Sequence, residues 1–176
     1  LWKLRIFELS KTTNKIMMNT IEKIKVIKNK LYFDNRGYFK EILKEKDLKK
    51  RFPFVVMSLS KKNVLRGLHI QLKNPQGKYI SVLKGEIFDV AVDLRNGSKT
   101  FGKHFTNILN EKNSKSLYIP PGFAHGFVGI SQNNYVIYSC SSYRNEQSEI
   151  GIKFDDPILK IKWPGKKFIV SNKDKK

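Results

Sequence analysis

The sequence predicts one all-β domain built as a sandwich or a barrel, and three observations lead to this prediction. From residue 20 onwards, short apolar stretches are broken by turn residues roughly every eight to twelve positions. Several stretches alternate apolar with polar residues, which is the period of a strand with one buried face. The chain has 176 residues, 40% of them hydrophobic, which suffices for one ordinary core.

The N-terminal segment does not follow this pattern. It begins at Leu1 and reads LWKLRIFELSKTTNKIMM, without the continuous apolar stretch of a signal peptide. We interpret residues 1–18 as a poorly ordered extension or a misassigned start, and residues 19–176 as the single folded domain. The sequence has no run of eighteen apolar residues, so no transmembrane helix and no membrane partner are expected.

The first elements are predicted from turn and helix signals. VIKNKLYF and YFKEIL, separated by DNRG, predict two strands joined by a turn. KEILKEKDLKKRF predicts the one helix of the domain, which Pro53 ends. Further along, the Lys84-Gly85 pair in YISVLKGEIFDVAVDL predicts a tight hairpin.

The strand after this pair has two different faces. One face carries Phe88, Val90, Val92 and Leu94, and the other carries Asp89, Ala91 and Asp93. In a small barrel, the charged face must meet water or line a polar cavity. The lysine-rich tail after Trp163-Pro164 is expected to lie on the outside of the barrel.

Charge and cysteine content narrow the possible partners and compartment. The formal net charge is +20, but lysine is spread along the whole chain, which favours a solvated surface over a nucleic-acid site. A polyanion-binding surface remains an alternative. The single cysteine, Cys140, cannot form an intrachain disulfide, which suits a reducing cytoplasm. Its strand-like context, YSCSSY, predicts a packing residue rather than a nucleophile.

Two of the three histidines lie among other polar groups. His69 is in RGLHIQ and His125 in PPGFAH, whereas His104 is expected on a surface strand. PPGFAH resembles the second motif of the cupin superfamily, whose members often hold a metal with three histidines and a glutamate. The first cupin motif has two histidines one residue apart, but here the chain has His69-Ile70-Gln71. A metal site is therefore an alternative, and the preferred hypothesis has no metal.

Proton chemistry is possible without a metal. Histidine is the usual general base near pH 7, and His69 and His125 are the candidates. Lys78, in PQGKYI, is a cation that can stabilise the negative charge left by proton removal. Tyr138, in VIYSCSSY, is a second proton carrier that would turn proton removal into inversion of a carbon centre. The structural alternatives are a histidine bonded to a carbonyl, a surface lysine and a core tyrosine.

Four motifs together resemble one family. KNVLRGLHIQ, PQGKYISVLKGEIFDVAVDLRNGSKTFGK, LYIPPGFAHGFVGIS and SEIGIKFDDPILKIKWP are similar to the dTDP-4-dehydrorhamnose 3,5-epimerase family, metal-free cupins of deoxysugar biosynthesis. The resemblance runs from residue 33 to residue 174. It implies a cupin-type jelly-roll β-barrel with short peripheral helices and a homodimer that exchanges strands. It also implies no cofactor, and a nucleoside-diphosphate 4-keto-6-deoxyhexose as substrate.

The resemblance assigns roles to individual residues. It makes His69 the base that removes a proton next to the C4 ketone, with Asp174 holding its tautomer. Lys78 would stabilise the enolate, and Tyr138 would return a proton to the other face. His125 would contact the substrate, oriented by Asp89. The other implied substrate contacts are Arg36, Glu41, Arg66, Gln71, Glu149 and Lys173.

One spacing conflicts with a regular strand. Arg66 and His69 are three residues apart and should face opposite sides. Gly67 between them predicts a bulge that re-aims one side chain. Alternatively, Arg66 serves the cavity of a neighbouring subunit.

The chain departs from the family at two places. Phe54-Val55-Val56-Met57 stands where the family usually has a Gln-x-Asn pair that helps to hold the nucleotide base. Arg144 replaces the second aromatic residue of a pair that begins at Tyr143. The nucleotide base therefore stays open. Relatives that invert only one carbon share the same catalytic base and tyrosine, so inversion at C3, C5 or both also stays open. The competing hypotheses are a metal-dependent cupin isomerase or dioxygenase, and a non-catalytic barrel that binds nucleotide sugars.

Overall fold

A computed structural model describes residues 22–175, which form two facing β-sheets and a small hairpin. The predicted extension over residues 1–18 lies outside the described residues. The strands are β1 (Lys25–Lys28), β2 (Leu31–Asp34), β3 (Gly37–Lys40), β4 (Phe54–Lys61), β5 (Val64–Gln71), β6 (Lys78–Lys84), β7 (Glu86–Asp93), β8 (His104–Asn110), β9 (Lys115–Ile119), β10 (Phe123–Gly129), β11 (Asn133–Cys140), β12 (Glu149–Gly151) and β13 (Ile169–Val170). The helical elements are α1 (Glu45–Leu48) and a 3-10 turn (Glu146–Ser148).

The sheets have the crossed connections of a jelly roll. The five-stranded sheet has the order β1-β9-β6-β11-β4. The six-stranded sheet has the order β12-β5-β10-β7-β8, and β13 adds to β5 in parallel. Among residues 22–175, strands β2 and β3 pair only with each other. The prediction of an all-β jelly-roll barrel is therefore confirmed.

The main core lies between the two sheets, and further apolar clusters cover their outer faces. Ile80 and Leu117 of the five-stranded sheet meet Ile87 and Leu109 of the six-stranded sheet, and all four are fully buried. Burying such side chains stabilises the fold by about 1.5–3 kcal/mol each. The C-terminal segment covers the outer face of the six-stranded sheet, where Leu159 joins the buried cluster. The tail after Trp163-Pro164, expected on the outside of the barrel, instead adds β13 to the edge of this sheet and brings Asp174 to His69 in the cavity.

Strand β7 has the two predicted faces. Val90 and Val92 pack under the C-terminal segment. Ala91 belongs to the core between the sheets, and the fully buried Asp89 bonds His125. The charged face of this strand therefore contributes a carboxylate to the interior, as one of the two predicted alternatives requires.

The predicted hairpin at Lys84-Gly85 is wrong. Strand β6 pairs with β9 and β11, whereas β7 pairs with β8 and β10, so the chain changes sheets at this point. Gly85 has a φ of 86°, and a Cβ atom there would lie 2.3 Å from the carbonyl oxygen of Asn133. The glycine marks a corner between sheets rather than a hairpin turn.

The predicted helix over residues 40–52 is much shorter in the structure. Only Glu45–Leu48 is α-helical, because Lys40 belongs to β3 and Lys49 adopts a left-handed conformation with a φ of 51°. The apolar residues of the pattern pack separately: Leu48 and Phe52 cover Tyr79 and Tyr118 on the outer face of the five-stranded sheet. Tertiary packing outweighs helix propensity in this segment.

The bulge predicted at Gly67 is confirmed. His69 pairs with His125 and Arg66 pairs with Phe127, so three steps on β5 match two on β10. Gly67 has a φ of 105° and approaches so closely that a Cβ atom would lie 2.6 Å from the carbonyl oxygen of His125. The bulge allows Arg66 and His69 to line the same cavity.

Candidate active site

A cavity of about 670 Å³ lies between the sheets, with β4 along one side and β5 and the C-terminal segment along the other. A volume of this size suits a small-molecule substrate. Most of the predicted site residues line it: Arg66, His69, Gln71, Lys78, His125, Tyr138, Glu149, Lys173 and Asp174.

His69 forms a dyad with a carboxylate from the tail. Its Nε2 atom lies 2.6 Å from Oδ1 of Asp174, whose side chain is only 5% exposed. The other carboxylate oxygen, Oδ2, accepts a 3.3 Å hydrogen bond from the backbone N–H of Gly67. A carboxylate oxygen is an acceptor, so Nε2 carries the proton and Nδ1 keeps a free lone pair. In the neutral ring, this contact therefore leaves Nδ1 able to act as a base.

A second histidine–carboxylate dyad lies on the neighbouring strands. Nε2 of His125 is 2.7 Å from Oδ2 of Asp89, and both side chains are almost completely buried. Within residues 22–175, Oδ1 of Asp89 is the one buried side-chain nitrogen or oxygen atom without a hydrogen-bond partner. Asp89 therefore contacts His125, and the resemblance predicts that it orients this histidine.

Tyr138 lies on the opposite sheet from His69. Its ring contacts the ring of His125 with centroids 6.3 Å apart, and its hydroxyl lies 3.0 Å from Oγ of Ser58. Burial raises the pKa of Tyr138 far above its ordinary value, and the nearby Ser58 and Arg66 oppose this only in part. The phenol is therefore fully protonated at neutral pH and can act as an acid.

Lys78 begins β6 next to Cys140 on β11. Burial lowers the pKa of Lys78, although the partial or full negative charges of Cys140, Glu149 and Asp89 act in the other direction. Its ammonium group therefore gives up a proton more readily than a surface lysine does. Cys140 is a free thiol whose pKa is raised by burial, in agreement with a packing role.

Glu149 joins two cations at the side of the cavity. It accepts a 2.8 Å hydrogen bond from Nε of Arg144 and a 2.7 Å hydrogen bond from Nζ of Lys173. Burial raises the pKa of Glu149, but these hydrogen bonds outweigh it and bring the pKa down to about 2. Because Lys173 precedes Asp174, this ion-pair group also fixes the tail beside His69.

Comparisons with known proteins show which family the chain belongs to. The family model described as dTDP-4-dehydrorhamnose 3,5-epimerase matches residues 18–176. An enzyme of that name from Methanothermobacter thermautotrophicus is 42% identical over 158 residues, which cover 85% of each chain. The chain belongs to the dTDP-4-dehydrorhamnose 3,5-epimerase family.

Two solved structures of relatives are also similar. The dTDP-6-deoxy-D-glucose-3,5-epimerase of Legionella pneumophila, in complex with dTDP-4-keto-L-rhamnose, has a TM-score of 0.84 and 44% identity, covering 89% of this chain and 88% of that one. A 3'-monoepimerase from Streptomyces bikiniensis, in complex with dTDP-quinovose, has a TM-score of 0.82 and 27% identity, covering 89% and 83%. The same fold is therefore found in relatives named for one inversion and for two.

Two predicted contacts lie away from the cavity in this single chain. Arg36 is at the turn of the β2–β3 hairpin, where its side chain is highly exposed and bonds Asp34. Glu41 follows this hairpin and forms an ion pair with Lys44. Neither residue lines the cavity of its own chain.

Gln71 lines the cavity, but local backbone groups occupy its side-chain amide. The amide nitrogen donates to the carbonyl oxygens of Asn74 and Tyr143, and the amide oxygen accepts from the N–H of Asn145. Gln71 therefore fixes the loop before the 3-10 turn.

Arg66 is anchored differently: its Nε donates to Oγ of Ser60 at 2.8 Å, and its exposed side chain reaches the cavity.

Sequence reasoning missed several residues of the cavity wall. Ser58, Ser60 and Gln76 were not predicted as site residues, although Ser58 and Gln76 line the cavity and Ser60 holds Arg66. A signal was present in FVVMSLSK, where two serines occupy the positions that alternate with Met57 and Leu59. Period-two alternation shows that these serines share a face, but it does not show what they contact.

The metal alternative lacks a ligand set in the described part of the chain. Residues 22–175 contain no group of three histidine, cysteine, aspartate or glutamate side chains placed to hold an ion. His69 and His125 each bond a carboxylate of their own instead. No helix in the same range is long and apolar enough to cross a membrane.

Proposed function

We propose that the protein epimerises C3, C5 or both carbons of a nucleoside-diphosphate 4-keto-6-deoxyhexose of the dTDP-4-dehydro-6-deoxyglucose type, in deoxysugar and polysaccharide biosynthesis. The observation that carries this proposal is the placement of a base and an acid on opposite sheets of one cavity. His69 is on β5, Tyr138 is on β11, and both line the space between the sheets. A proton taken from one face of a carbon and returned to the other inverts that carbon.

The first step uses the dyad and the lysine. Nδ1 of His69 takes a proton from the carbon next to the C4 ketone, and the electron pair moves to the ketone oxygen to form an enolate. The Asp174 carboxylate stabilises the imidazolium that forms, because it lies 2.6 Å from Nε2. Lys78 stabilises the enolate oxygen, and its lowered pKa favours proton sharing with that oxygen. The ketone already acidifies this proton, so the step needs no cofactor.

The second step uses the phenol. When the enolate collapses back to the ketone, Tyr138 donates its proton to the opposite face of the same carbon and becomes a phenolate. Later proton exchange with solvent restores the phenol and the neutral His69. The strongly raised pKa of Tyr138 means that the phenol is protonated at the start of each turnover.

The cations of the cavity suit the diphosphate. Arg66 reaches the cavity from one side, and Lys173 lies at the side formed by the tail. Guanidinium and ammonium groups bind phosphate oxygens through charge-assisted hydrogen bonds. The nucleotide base would meet an apolar wall of Phe54, Val56 and Met57, which offers no side-chain amide for reading the base. The proposed substrate therefore carries thymine or another nucleotide base.

A homodimer would complete the site. The β2–β3 hairpin is exposed and presents four aromatic rings, those of Tyr32, Phe33, Tyr38 and Phe39. Arg36 and Glu41, at the turn and end of this hairpin, are available to a partner's cavity. We propose that the hairpin inserts them there. We also propose a cytoplasmic location, because the single cysteine, Cys140, cannot form an intrachain disulfide.

The direct test is NMR in deuterium oxide with dTDP- and GDP-linked 4-keto-6-deoxy sugars. We expect the C3 or C5 proton signals to vanish and a product of inverted configuration to appear. His69→Asn should abolish both effects while nucleotide binding persists. Normal turnover by His69→Asn would refute the base assignment, and binding without any deuterium uptake by the wild type would favour the non-catalytic barrel. Activity lost to a chelator would favour the metal-dependent enzyme.

Mixed dimers test the proposed exchange of hairpins. In a His69→Asn/Arg36→Ala heterodimer, one cavity would contain both wild-type residues and the other would contain both defects. Mixing the two inactive or impaired variants should therefore restore activity. The matched control is His69→Asn with Tyr138→Phe, whose defects belong to the same cavity of each chain, so no rescue is expected. Absence of rescue in the first mixture, or a monomer by light scattering, would refute the exchange.

A further inference from the structure

A half-buried serine on the edge strand holds the hydroxyl of Tyr138. Ser58 is the fifth residue of β4 and pairs in register with Val136 on β11. Its Oγ atom lies 3.0 Å from the Tyr138 hydroxyl, and both residues line the cavity. The contact joins neighbouring strands of one sheet, so the backbone ladder fixes its geometry.

The direction of this hydrogen bond matters for proton transfer. A phenol has one hydrogen, whereas its oxygen can also accept hydrogen bonds. If Tyr138 donated to Ser58, its only proton would point away from the substrate. If Ser58 donates instead, the phenol proton stays free for the cavity.

The same contact matters after the proton has left. Burial strongly disfavours a phenolate at Tyr138, and the hydrogen bond from Ser58 is the largest influence in the opposite direction, followed by the charge of Arg66. A hydrogen bond to a charged oxygen is stronger than one to a neutral oxygen. Ser58 therefore stabilises the state in which Tyr138 has given up its proton more than the state before it.

We propose that Ser58 is a positioning residue for the acid step: it donates to the Tyr138 oxygen, aims the phenol proton at the carbon, and stabilises the phenolate that remains. This proposal rests on the proposed function, because it needs the enolate that His69 forms. It assigns a role to a residue that touches the acid rather than the reacting carbon.

The test separates proton removal from proton return. With Ser58→Ala, deuterium exchange at the substrate carbon should continue near the wild-type rate, while formation of inverted product falls about 10- to 150-fold, the range for losing one hydrogen bond to a charged group. Ser58→Thr keeps the hydroxyl on a residue suited to strands and should restore most of the product rate.

A double-mutant cycle distinguishes positioning from a general structural effect. In a Tyr138→Phe background, Ser58→Ala should cause no further loss, because the group through which it acts is gone. The proposal is overturned if Ser58→Ala lowers exchange and product equally, or if its effect adds fully to that of Tyr138→Phe. If the wild type neither exchanges nor inverts any keto-sugar nucleotide, the proposed function fails as well. If the wild type is active but the Ser58 variants behave as just described, only the role of Ser58 fails.

Discussion

Replacing Asp174 with asparagine tests how the tail controls the base. The carboxylate accepts two hydrogen bonds, one from Nε2 of His69 at 2.6 Å and one from the N–H of Gly67 at 3.3 Å. An asparagine side chain has one acceptor oxygen, so one of these bonds must be lost. If its amide nitrogen faces His69, it donates to Nε2 and moves the imidazole proton to Nδ1. In that tautomer, Nδ1 of His69 already carries a proton and can no longer take one from the substrate.

The magnitude follows from the lost charge-assisted hydrogen bond. Such a bond contributes about 1.5–3 kcal/mol, which corresponds to roughly a 10- to 150-fold lower kcat. The change of tautomer adds to this loss, so we expect the upper part of the range or more. KM should change little, since Asp174 faces His69 rather than the substrate phosphates.

The assay is the initial rate of deuterium exchange by NMR, with thermal unfolding measured in parallel. Asp156→Asn is the matched control, because Asp156 is as buried as Asp174 and its side chain accepts from the N–H of Ile158, where an asparagine can still accept. It should exchange at the wild-type rate. The reasoning is refuted if Asp174→Asn exchanges normally, or if the two variants lose activity equally.

Three further predictions concern other parts of the site. Lys78→Met should lower exchange and inversion together, since the enolate forms before Tyr138 acts; unchanged exchange by NMR would contradict the role of Lys78. The lowered pKa of Glu149, about 2 against an ordinary 4.5, means that its ion pairs stabilise the fold above about pH 4.5 and lose this effect as the pH falls towards 2. Glu149→Gln should therefore lower the Tm more at pH 7 than at pH 3, and an equal or reversed difference would contradict the shift. Gly67→Ala should destabilise the fold by at least about 1–3 kcal/mol in urea titrations, because its φ is positive and the added methyl group meets a carbonyl oxygen; Gly151→Ala, with open space around it, is the control and should change little.

The fold was predictable where the signal is local. The two faces of β7 and the bulge at Gly67 follow from the alternation of side chains and from one glycine. The position of Gly85 was recognised as a turn, but its partner strands were not. A glycine with positive φ suits both a hairpin and a corner between sheets, and the choice depends on strands far along the chain.

Residue types and the family resemblance predicted which residues belong to the site. They did not predict which of these residues contact one another. The two dyads join residues 105 and 36 positions apart, and no local pattern links them. Ser58 was missed because a serine in a strand usually signals only a polar face. Gln71 shows the opposite case, since a polar group in the site motif is used by the backbone of its own loop.

The parallel strand β13 comprises only two residues, yet it carries the chain that brings Asp174 to His69. We expect so short a segment to detach at a lower free energy than the barrel unfolds, even with the ion pair of Lys173 and Glu149. The fraction of molecules competent to begin turnover is then set by this local equilibrium and not by global stability. On heating, catalysis should disappear at a lower temperature than the one at which the sheets melt, and it should return on cooling.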